Sequence, residues 1–151
     1  LEERVSIRNL FLIIETIAEA KTSNPGLPRM VELVRQRLAF QIVDRLQDDQ
    51  GRLPLVQLST AWEQKFTQYE VAGENGSSDI ALPPEMFGEL TNEVQTKLNE
   101  AAKKGVMASV ATSSRRRRFL QTVLASKGIR NSVLAYEEIS AKTKPYIIGV
   151  V

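Results

Sequence analysis

Four consecutive arginines, Arg115 to Arg118, are the residues of this sequence best suited to bind a charged ligand. They follow the hydroxyls of Thr112, Ser113 and Ser114 and open the segment "SRRRRFLQTVLASKG", which predicts a helix that begins here. A helix N-terminus carries partial positive charge, so each exposed cation there costs about 0.3–1 kcal/mol. A nucleic acid, a smaller bound anion or an acidic protein surface would each offset that cost.

The hydroxyls before the arginines have two interpretations. Free backbone amides at a helix start hold phosphate groups well, and Thr112, Ser113 and Ser114 would add donors. The simpler interpretation is that Ser113 or Ser114 is the N-cap of the helix. The sequence favours the cap and leaves the anion site open.

Helical geometry sorts the four arginines. Arg116 lies three residues before Phe119 and four before Leu120, so it lines up with the buried face of the helix. We expect its stem to rest on the core and its guanidinium to pair with Glu137 or Glu138. The other three are predicted to be free for a partner: Arg115, Arg117 and Arg118.

The composition excludes several kinds of chemistry. The chain has neither cysteine nor histidine, which removes disulfides, thiolate nucleophiles, zinc sites built on these residues and histidine acid–base catalysis. Lys and Arg number 20 against 18 Asp and Glu, for a net charge of +2, so the basic character is local. A dedicated nucleic-acid binder usually carries a basic domain or stripe.

A metal site made of carboxylates is still possible in principle. However, Asp48-Asp49 and Glu137-Glu138 are adjacent pairs with no ligand-loop spacing. No nucleophile elbow, phosphate loop or dinucleotide motif is present either. We therefore expect no enzyme activity, no cofactor and no metal, with a carboxylate-metal hydrolase as the weakest alternative.

The first predicted helix runs from Ile7 to about Ala20 behind a Ser6 cap. Leu12 and Ile13 disturb its periodicity, because Leu12 points almost opposite the apolar stripe. A helix that is apolar on two faces is buried on both, through a second contact within the chain or at an interface between subunits. The stripe expected to face the core is Ile7, Leu10, Phe11, Ile14, Ile17 and Ala18.

The second predicted helix runs from about Pro28 to Asp44, after the breaker "NPG". Its expected core stripe is Val31, Val34, Leu38, Ile42 and Leu46. Its arginines lie off that stripe and are expected to be solvated: Arg29, Arg35, Arg37 and Arg45.

After residue 50 the pattern changes to alternating strands and helices. A strand, the arginine helix and another strand in succession predict a βαβ unit with parallel strands and a right-handed crossover. The predicted order is a strand over 53–58, a short helix with Trp62 and Phe66, a flexible loop over 72–79, a long helix from Pro83-Pro84 to Lys104, and strands over 106–111, 132–139 and 145–151.

The fold class is therefore α+β or α/β, with a helical module over 1–50 followed by a small α/β module over 51–151. The longest apolar run, Leu10 to Ile14, is far below the ~20 residues that span a bilayer. The chain begins at Leu1 rather than Met and ends on "YIIGVV", so we expect a soluble piece of a longer protein.

Three stretches together resemble one known family. The first is "VSIRN" (Val5–Asn9), the second is "VRQRL" (Val34–Leu38) followed by Gln41-Ile42, and the third is "VLAYEEI" (Val133–Ile139) after the arginine helix. They resemble the FHIPEP family, the large export-gate proteins of flagellar and virulence type III secretion. Ala135 stands where serine is more usual in that family. The sequence of the first helix resembles the flagellar members more than the virulence members.

The resemblance implies a fold, a place and a function. The chain would be the helical ring-forming subdomain and the final α/β subdomain of a protein whose membrane-spanning region is absent here. It would lie at the cytoplasmic face of the bacterial inner membrane in a nonameric ring. It would be non-enzymatic, and its partners would be export substrates, their chaperones and components of the export ATPase complex.

The candidate subunit-interface residues are Arg4, Ser6, Arg8, Leu12, Ile13 and Arg35. The alternative function is a nucleic-acid or anion-binding domain that uses the cluster from Arg115 to Arg118.

Overall fold

A computed structural model describes residues 10–22, 27–72 and 78–151 of the chain. Three helices come first: α1 (Leu10–Thr22), α2 (Leu27–Arg37) and α3 (Ala39–Asp44). Within the described ranges, no helix combines the length and apolar character needed to cross a membrane.

The second part of the chain is built around a four-stranded sheet. Its strands are β1 (Arg52–Gln57), β4 (Ser109–Thr112), β5 (Val133–Ala135) and β6 (Lys144–Val150). They are ordered β5-β4-β1-β6, and every pairing is parallel. The remaining elements are α4 (Thr60–Gln68), a small antiparallel pair of β2 (Glu70–Ala72) and β3 (Ser78–Ile80), α5 (Pro84–Lys103), α6 (Ser114–Ser126) and a 3-10 turn (Tyr136–Glu138).

The sheet is covered on both faces, as parallel sheets usually are. On one face, residues of α4, α5 and α6 surround Val56 and Val110. On the other face, Ile42 and Val43 of α3 pack against Leu53 and Leu55 of β1. Because α3 belongs to the predicted helical module, the two predicted modules share this second core.

The predicted fold class and the βαβ unit are confirmed, since β4, α6 and β5 follow one another with parallel strands. The predicted strand over 132–139 is too long. It ends at Ala135 because the carboxylate of Glu138 turns back and accepts a 3.2 Å hydrogen bond from the Ala135 amide. The Ala135 amide thus bonds to a side chain instead of a neighbouring strand, and the chain leaves the sheet through the 3-10 turn.

The second predicted helix is interrupted at Leu38, where α2 ends and α3 begins. The break redirects the chain so that Ile42 and Val43 reach the sheet. Val31, expected in the core stripe, is 46% exposed. The predicted loop over 72–79 has paired ends, Ala72 with Ser78, and its residues 73–77 lie outside the described residues.

The predicted core stripe of α1 is wrong at three positions. Leu10, Ile14 and Ala18 are exposed, whereas Thr16 is buried and donates a hydrogen bond to the Leu12 carbonyl. Because apolar residues occur on more than one side of this helix, periodicity could not identify the buried side. An apolar face of α1 is therefore left uncovered within the described chain.

Candidate functional site

Helix α6 begins at the carboxyl end of β4, with Ser113 as its N-cap. Ser113 therefore occupies the N-cap position, as the sequence favours, but its side chain makes no capping hydrogen bond. Instead the backbone amide of Ser114 donates to Oε2 of Glu137 at 3.0 Å. The anion that a helix start favours is here a carboxylate of the same chain.

Arg115 and Arg116 share one acid, Glu70 of β2. Nη2 of Arg116 lies 2.9 Å from Oε2 of Glu70 and 3.3 Å from the Thr67 hydroxyl, and Arg115 pairs with the other oxygen of Glu70. The prediction that Arg116 pairs with Glu137 or Glu138 is wrong, because the β2 strand places Glu70 against the first turn of α6. The prediction that the stem of the Arg116 side chain is buried is confirmed, since Arg116 is 3% exposed.

Arg117 is buried rather than free for a partner, which corrects the prediction from helical geometry. Its side chain is 4% exposed, and its Nε and Nη2 donate to both carboxylate oxygens of Glu32 over 2.6–3.0 Å. Glu32 reaches this side of α6 from helix α2. The geometry is the bidentate arrangement in which arginine binds carboxylate most strongly.

Arg35 is also buried, although it was expected to be solvated and to lie at a subunit interface. Its Nε and Nη2 donate to the two oxygens of Glu138 at 3.3 and 3.0 Å. Glu138 lies 3.8 Å from Nε of Arg117, which joins the two pairs into one group. We call Glu32, Arg35, Arg117 and Glu138 the ionic core.

The ionic core joins three elements that are distant in sequence. Glu32 and Arg35 lie one turn apart on α2, Arg117 lies on α6, and Glu138 lies on the 3-10 turn. Two positive and two negative charges balance, and each residue is at most 7% exposed. Such a group is costly to break, because removing one member leaves an uncompensated buried charge.

The other candidate residues are placed less uniformly. Arg118 is exposed, and Leu12 and Ile13 of α1 are half-buried. Arg4, Ser6 and Arg8 lie outside the described residues. The structure therefore brings Arg115, Arg116 and Arg117 to acids of the same chain, whereas Arg118 is exposed and has no ion pair among the described residues.

The chemical capacity of this region is charge pairing. Glu63, which the sequence does not single out as a ligand, accepts a 2.7 Å hydrogen bond from the Thr112 hydroxyl at the carboxyl end of β4. Across residues 10–22, 27–72 and 78–151, no cluster of three or more acidic side chains is arranged to hold a metal ion.

Glu138 makes the stability of the chain depend on pH. Burial raises the pKa of its carboxyl above the ordinary value, and the guanidiniums of Arg35 and Arg117 and the Ala135 amide oppose this shift only in part. The folded carboxyl then binds its proton more tightly than the unfolded one. Its contribution to the free energy of unfolding is therefore fully present at low pH and is lost as the pH rises through the folded pKa.

Urea unfolding of the wild type and of Glu138→Gln across pH tests this expectation. The difference in free energy of unfolding, wild type minus variant, should fall as the pH rises above the ordinary glutamate pKa of 4.5. Glu89→Gln, at an exposed position of α5, is the matched control for loss of one carboxylate. A difference that grows with pH would mean that the two arginines lower the pKa of Glu138 below its ordinary value, contrary to this expectation.

The acids of these pairs are the functional residues that sequence reasoning missed. Glu32, Arg35, Leu38 and Ile42 recur at helical spacing and are all buried, so the true core stripe of α2 and α3 begins with two charges. The expected stripe counted apolar residues alone, so it is correct at Leu38 and Ile42, but Val31 and Val34 each lie one position before the buried residue. The sequence signal for these buried charges was the spacing of Glu32 and Arg35, which lie three residues apart on the same helix face as Leu38 and Ile42.

Comparisons with known proteins agree with this fold. The family model described as "FHIPEP family" matches residues 1–144. The flagellar biosynthesis protein FlhA of Caulobacter vibrioides is 31% identical over 151 residues, which is all of this chain and 21% of the relative. The chain therefore spans about a fifth of the length of that relative.

Solved structures share the fold at low sequence identity. The nonameric SctV-C of EPEC superposes with a TM-score of 0.86 at 21% identity, over 99% of this chain and 44% of that one. CdsV of Chlamydia pneumoniae, solved in complex with CdsO, gives 0.78 at 18% identity, over 98% and 43%. With its sequence matched over nearly its whole length and its fold shared with these proteins, the chain belongs to the FHIPEP family.

Proposed function

We propose that this chain acts as part of the export gate of a flagellar or related type III secretion system, as a non-enzymatic module of a cytoplasmic ring. The observation that carries the proposal is the family match over residues 1–144, together with the fold shared with a nonameric relative. In this role the module docks export substrates and their chaperones and helps to order secretion. It belongs to a longer protein held at the cytoplasmic face of the inner membrane.

The ionic core supports a mechanical role. Residues 1–50 are proposed to be the ring-forming subdomain and residues 51–151 the C-terminal α/β subdomain. Two buried ion pairs and the contact of α3 with the sheet fasten these parts together. A force or displacement applied to one part is therefore passed to the other without local unfolding.

Self-assembly is proposed to use the uncovered apolar face of α1. Leu10 and Ile14 are 50% and 56% exposed, and Ile13 is half-buried on the same side of the helix, whereas Leu12 is half-buried on the side of Thr16. Exposed apolar residues that recur along one helix commonly mark contact surfaces. Arg35 is withdrawn from this candidate interface, because its guanidinium is engaged inside the chain.

Ile14→Asp should weaken ring formation while the fold survives. Loss of one buried apolar side chain from a contact, about 1.5–3 kcal/mol, corresponds to at least a tenfold weaker association. Leu12→Asp should act in the same direction, with some loss of stability because Leu12 is half-buried. Native mass spectrometry of the longest natural form of the protein would report the nonamer fraction.

The control for this experiment is Val71→Asp. Val71 is 46% exposed on β2, away from α1, so an added charge there should leave assembly unchanged. Unaltered rings in both α1 variants would remove α1 from the interface.

Partner docking is proposed to involve the exposed side of the arginine run. The Arg115 side chain is 64% exposed although it is paired with Glu70, and Arg118 is exposed. The fold neighbour CdsV was solved in a complex with CdsO, which supports binding of a second protein by this kind of domain.

A further inference from the structure

The amino-terminal edge of the parallel sheet carries an excess of positive charge. Because all four strands run in the same direction, the segments that enter them meet at one edge. These segments are 45–51, 104–108, 127–132 and 139–143, and we call them, with the first residue of each strand, the amino edge. The amino edge holds seven cations, namely Arg45, Arg52, Lys104, Lys127, Arg130, Lys142 and Lys144.

The acids on the amino edge are Asp48 and Asp49. Asp48 is engaged by Arg52 at 2.8 Å, and the other six cations are exposed and have no ion pair among the described residues. The net charge of the whole chain is only +2, so the amino edge holds more than the entire excess, and the rest of the chain is net negative. This polarisation is a property of the fold and cannot be seen as a run in the sequence.

Two matching loops lie side by side at one end of the amino edge, where the chain enters β4 and the edge strand β5. Lys104-Gly105-Val106 and Lys127-Gly128-Ile129 end α5 and α6 in the same way. Both glycines have φ of 77°, and the residue after each donates to a carbonyl five positions earlier. This is the Schellman cap, which only glycine adopts without strain. The caps fix both lysines on rigid turns.

The two loops also run side by side. Val110 of β4 pairs with Val133 of β5, and continuing that register back to the loops places Met107 beside Arg130. The side-chain amide of Asn131 confirms the alignment, because it donates to the Ala108 carbonyl at 2.8 Å and lies 3.8 Å from the Met107 sulfur. Met107 is 76% exposed, so a flexible apolar side chain stands among the cations.

Helix dipoles explain only part of this arrangement. Each helix C-terminus carries about half a negative charge, so the ends of α5 and α6 together balance about one cation. Lys104 and Lys127 are well placed for that balance. The remaining cations and the exposed Met107 are not accounted for by it.

We propose that the amino edge is a docking surface for an acidic, amphipathic helix of a partner protein. Four strands about 4.8 Å apart give an edge about 14 Å long, which is the length of about ten residues of helix. A narrow ridge of this size fits one helix, whose carboxylates meet the cations and whose apolar side meets Met107. Methionine adapts to varied apolar partners, which suits a surface that receives more than one.

The proposal adds a second docking surface to the proposed function, because Arg115 and Arg118 lie at the start of α6, after the carboxyl end of β4. It rests on the proposed function only for the identity of the partner. Binding to the amino edge requires no ring, whereas the assembly experiment on α1 requires one. Failure of either experiment therefore leaves the other result intact.

The test uses defined probes and measures binding by fluorescence anisotropy. The first probe is a synthetic helix of glutamate and leucine with leucines on one face, and the second replaces each leucine with glutamine. Vesicles of equimolar phosphatidylcholine and phosphatidylglycerol are the third. We expect the leucine-containing helix to bind the chain more tightly than the glutamine version, with affinity that falls as salt is added.

Reversal of the charges of the two lysines in the helix caps should weaken this binding. Lys104→Glu combined with Lys127→Glu is expected to weaken it at least tenfold, and Met107→Ser about fivefold. The matched control reverses Arg29 and Arg37, two exposed cations of α2 outside the amino edge, and should leave binding unchanged. If the glutamate pair unfolds the helix ends, Lys104→Gln with Lys127→Gln tests the same charges on the intact fold.

Three results would overturn the proposal. If the control pair lost as much affinity for the peptide, the peptide would be responding to the net charge of the chain and not to the cations of the amino edge. Equal binding of the two peptides would remove the apolar contact at Met107. Binding of the vesicles alone, with the same dependence on Lys104 and Lys127, would identify a membrane surface instead of a protein helix.

Discussion

Arg117→Met is expected to lower the free energy of unfolding by about 3–5 kcal/mol. Methionine fills much of the same volume, so the loss comes from charge. Without the guanidinium, Glu32 is left buried with no described partner for its carboxylate, and Glu138 loses one of its two cations. Urea unfolding followed by circular dichroism at neutral pH would measure the change.

Two further variants separate charge from packing at Arg117. Arg118→Met changes the next residue of the same helix, which is exposed, and should alter stability by no more than about 0.5 kcal/mol. Arg117→Met combined with Glu32→Leu removes one positive and one negative charge, leaving Arg35 and Glu138 as a balanced pair. That double variant should recover most of the lost stability, with a coupling of about 2–3 kcal/mol. A double variant as unstable as the sum of its parts would contradict the charge explanation.

The elements of the α/β part were predictable because their local signals agree with one another. The Pro83-Pro84 start and the glycine after Lys104 bound α5 in the sequence, and the apolar positions Leu90, Val94 and Leu98, which recur at helical spacing, are buried. The strand at residues 53–58 and the strands around the arginine helix are short apolar runs between turn residues. Each of these patterns depends only on residues close in sequence, and the corresponding helix or strand is present in the structure.

The partners of the arginines were not predictable by the same means. The pair of Arg117 and Glu32 spans 85 positions, and the pair of Arg35 and Glu138 spans 103. Periodicity assigns charged residues to the surface, because burial of an isolated charge is prohibitive. That rule fails where two elements bring opposite charges together, and only the packing of α2 onto α6 and the 3-10 turn shows that they do.

The ionic core also changes the meaning of the arginine run at the start of α6. The dipole argument made four cations at a helix start look unfavourable unless a ligand bound them. In the structure, Glu137 meets the first amide, Glu70 meets Arg115 and Arg116, and Glu32 meets Arg117. The run is satisfied mainly inside the chain, and the strongest unsatisfied positive surface lies at the opposite edge of the sheet.

Arg35→Glu is expected to unfold the chain. The new carboxylate would face Glu138, whose side chain is 0% exposed, and the ionic core would change from balanced to a net charge of two negatives. Loss of a buried partner costs about 3–5 kcal/mol, and like-charge repulsion adds to it. Domains are stable by only about 5–15 kcal/mol, so little or no folded protein should remain. Far-ultraviolet circular dichroism and urea unfolding would measure it.

Arg37→Glu is the sharpest control, because Arg37 lies two positions further along α2 and also pairs with an acid. Its partner is Glu19 of α1 at 2.9 Å, but both side chains are more than half exposed. Water screens that pair, so its loss should cost no more than about 1 kcal/mol. The same substitution on one helix thus separates a buried from an exposed ion pair.

The charge swap Arg35→Glu with Glu138→Arg then distinguishes a structural role for Arg35 from a role at the subunit interface. The swap restores one positive and one negative charge at the same two places, so folding should return at least in part. A folded swap that still forms rings would show that Arg35 acts only within the chain. If the swap folds but forms no rings while Arg37→Glu still forms them, Arg35 lies at the subunit interface. Its positive charge would then interact with a neighbouring subunit.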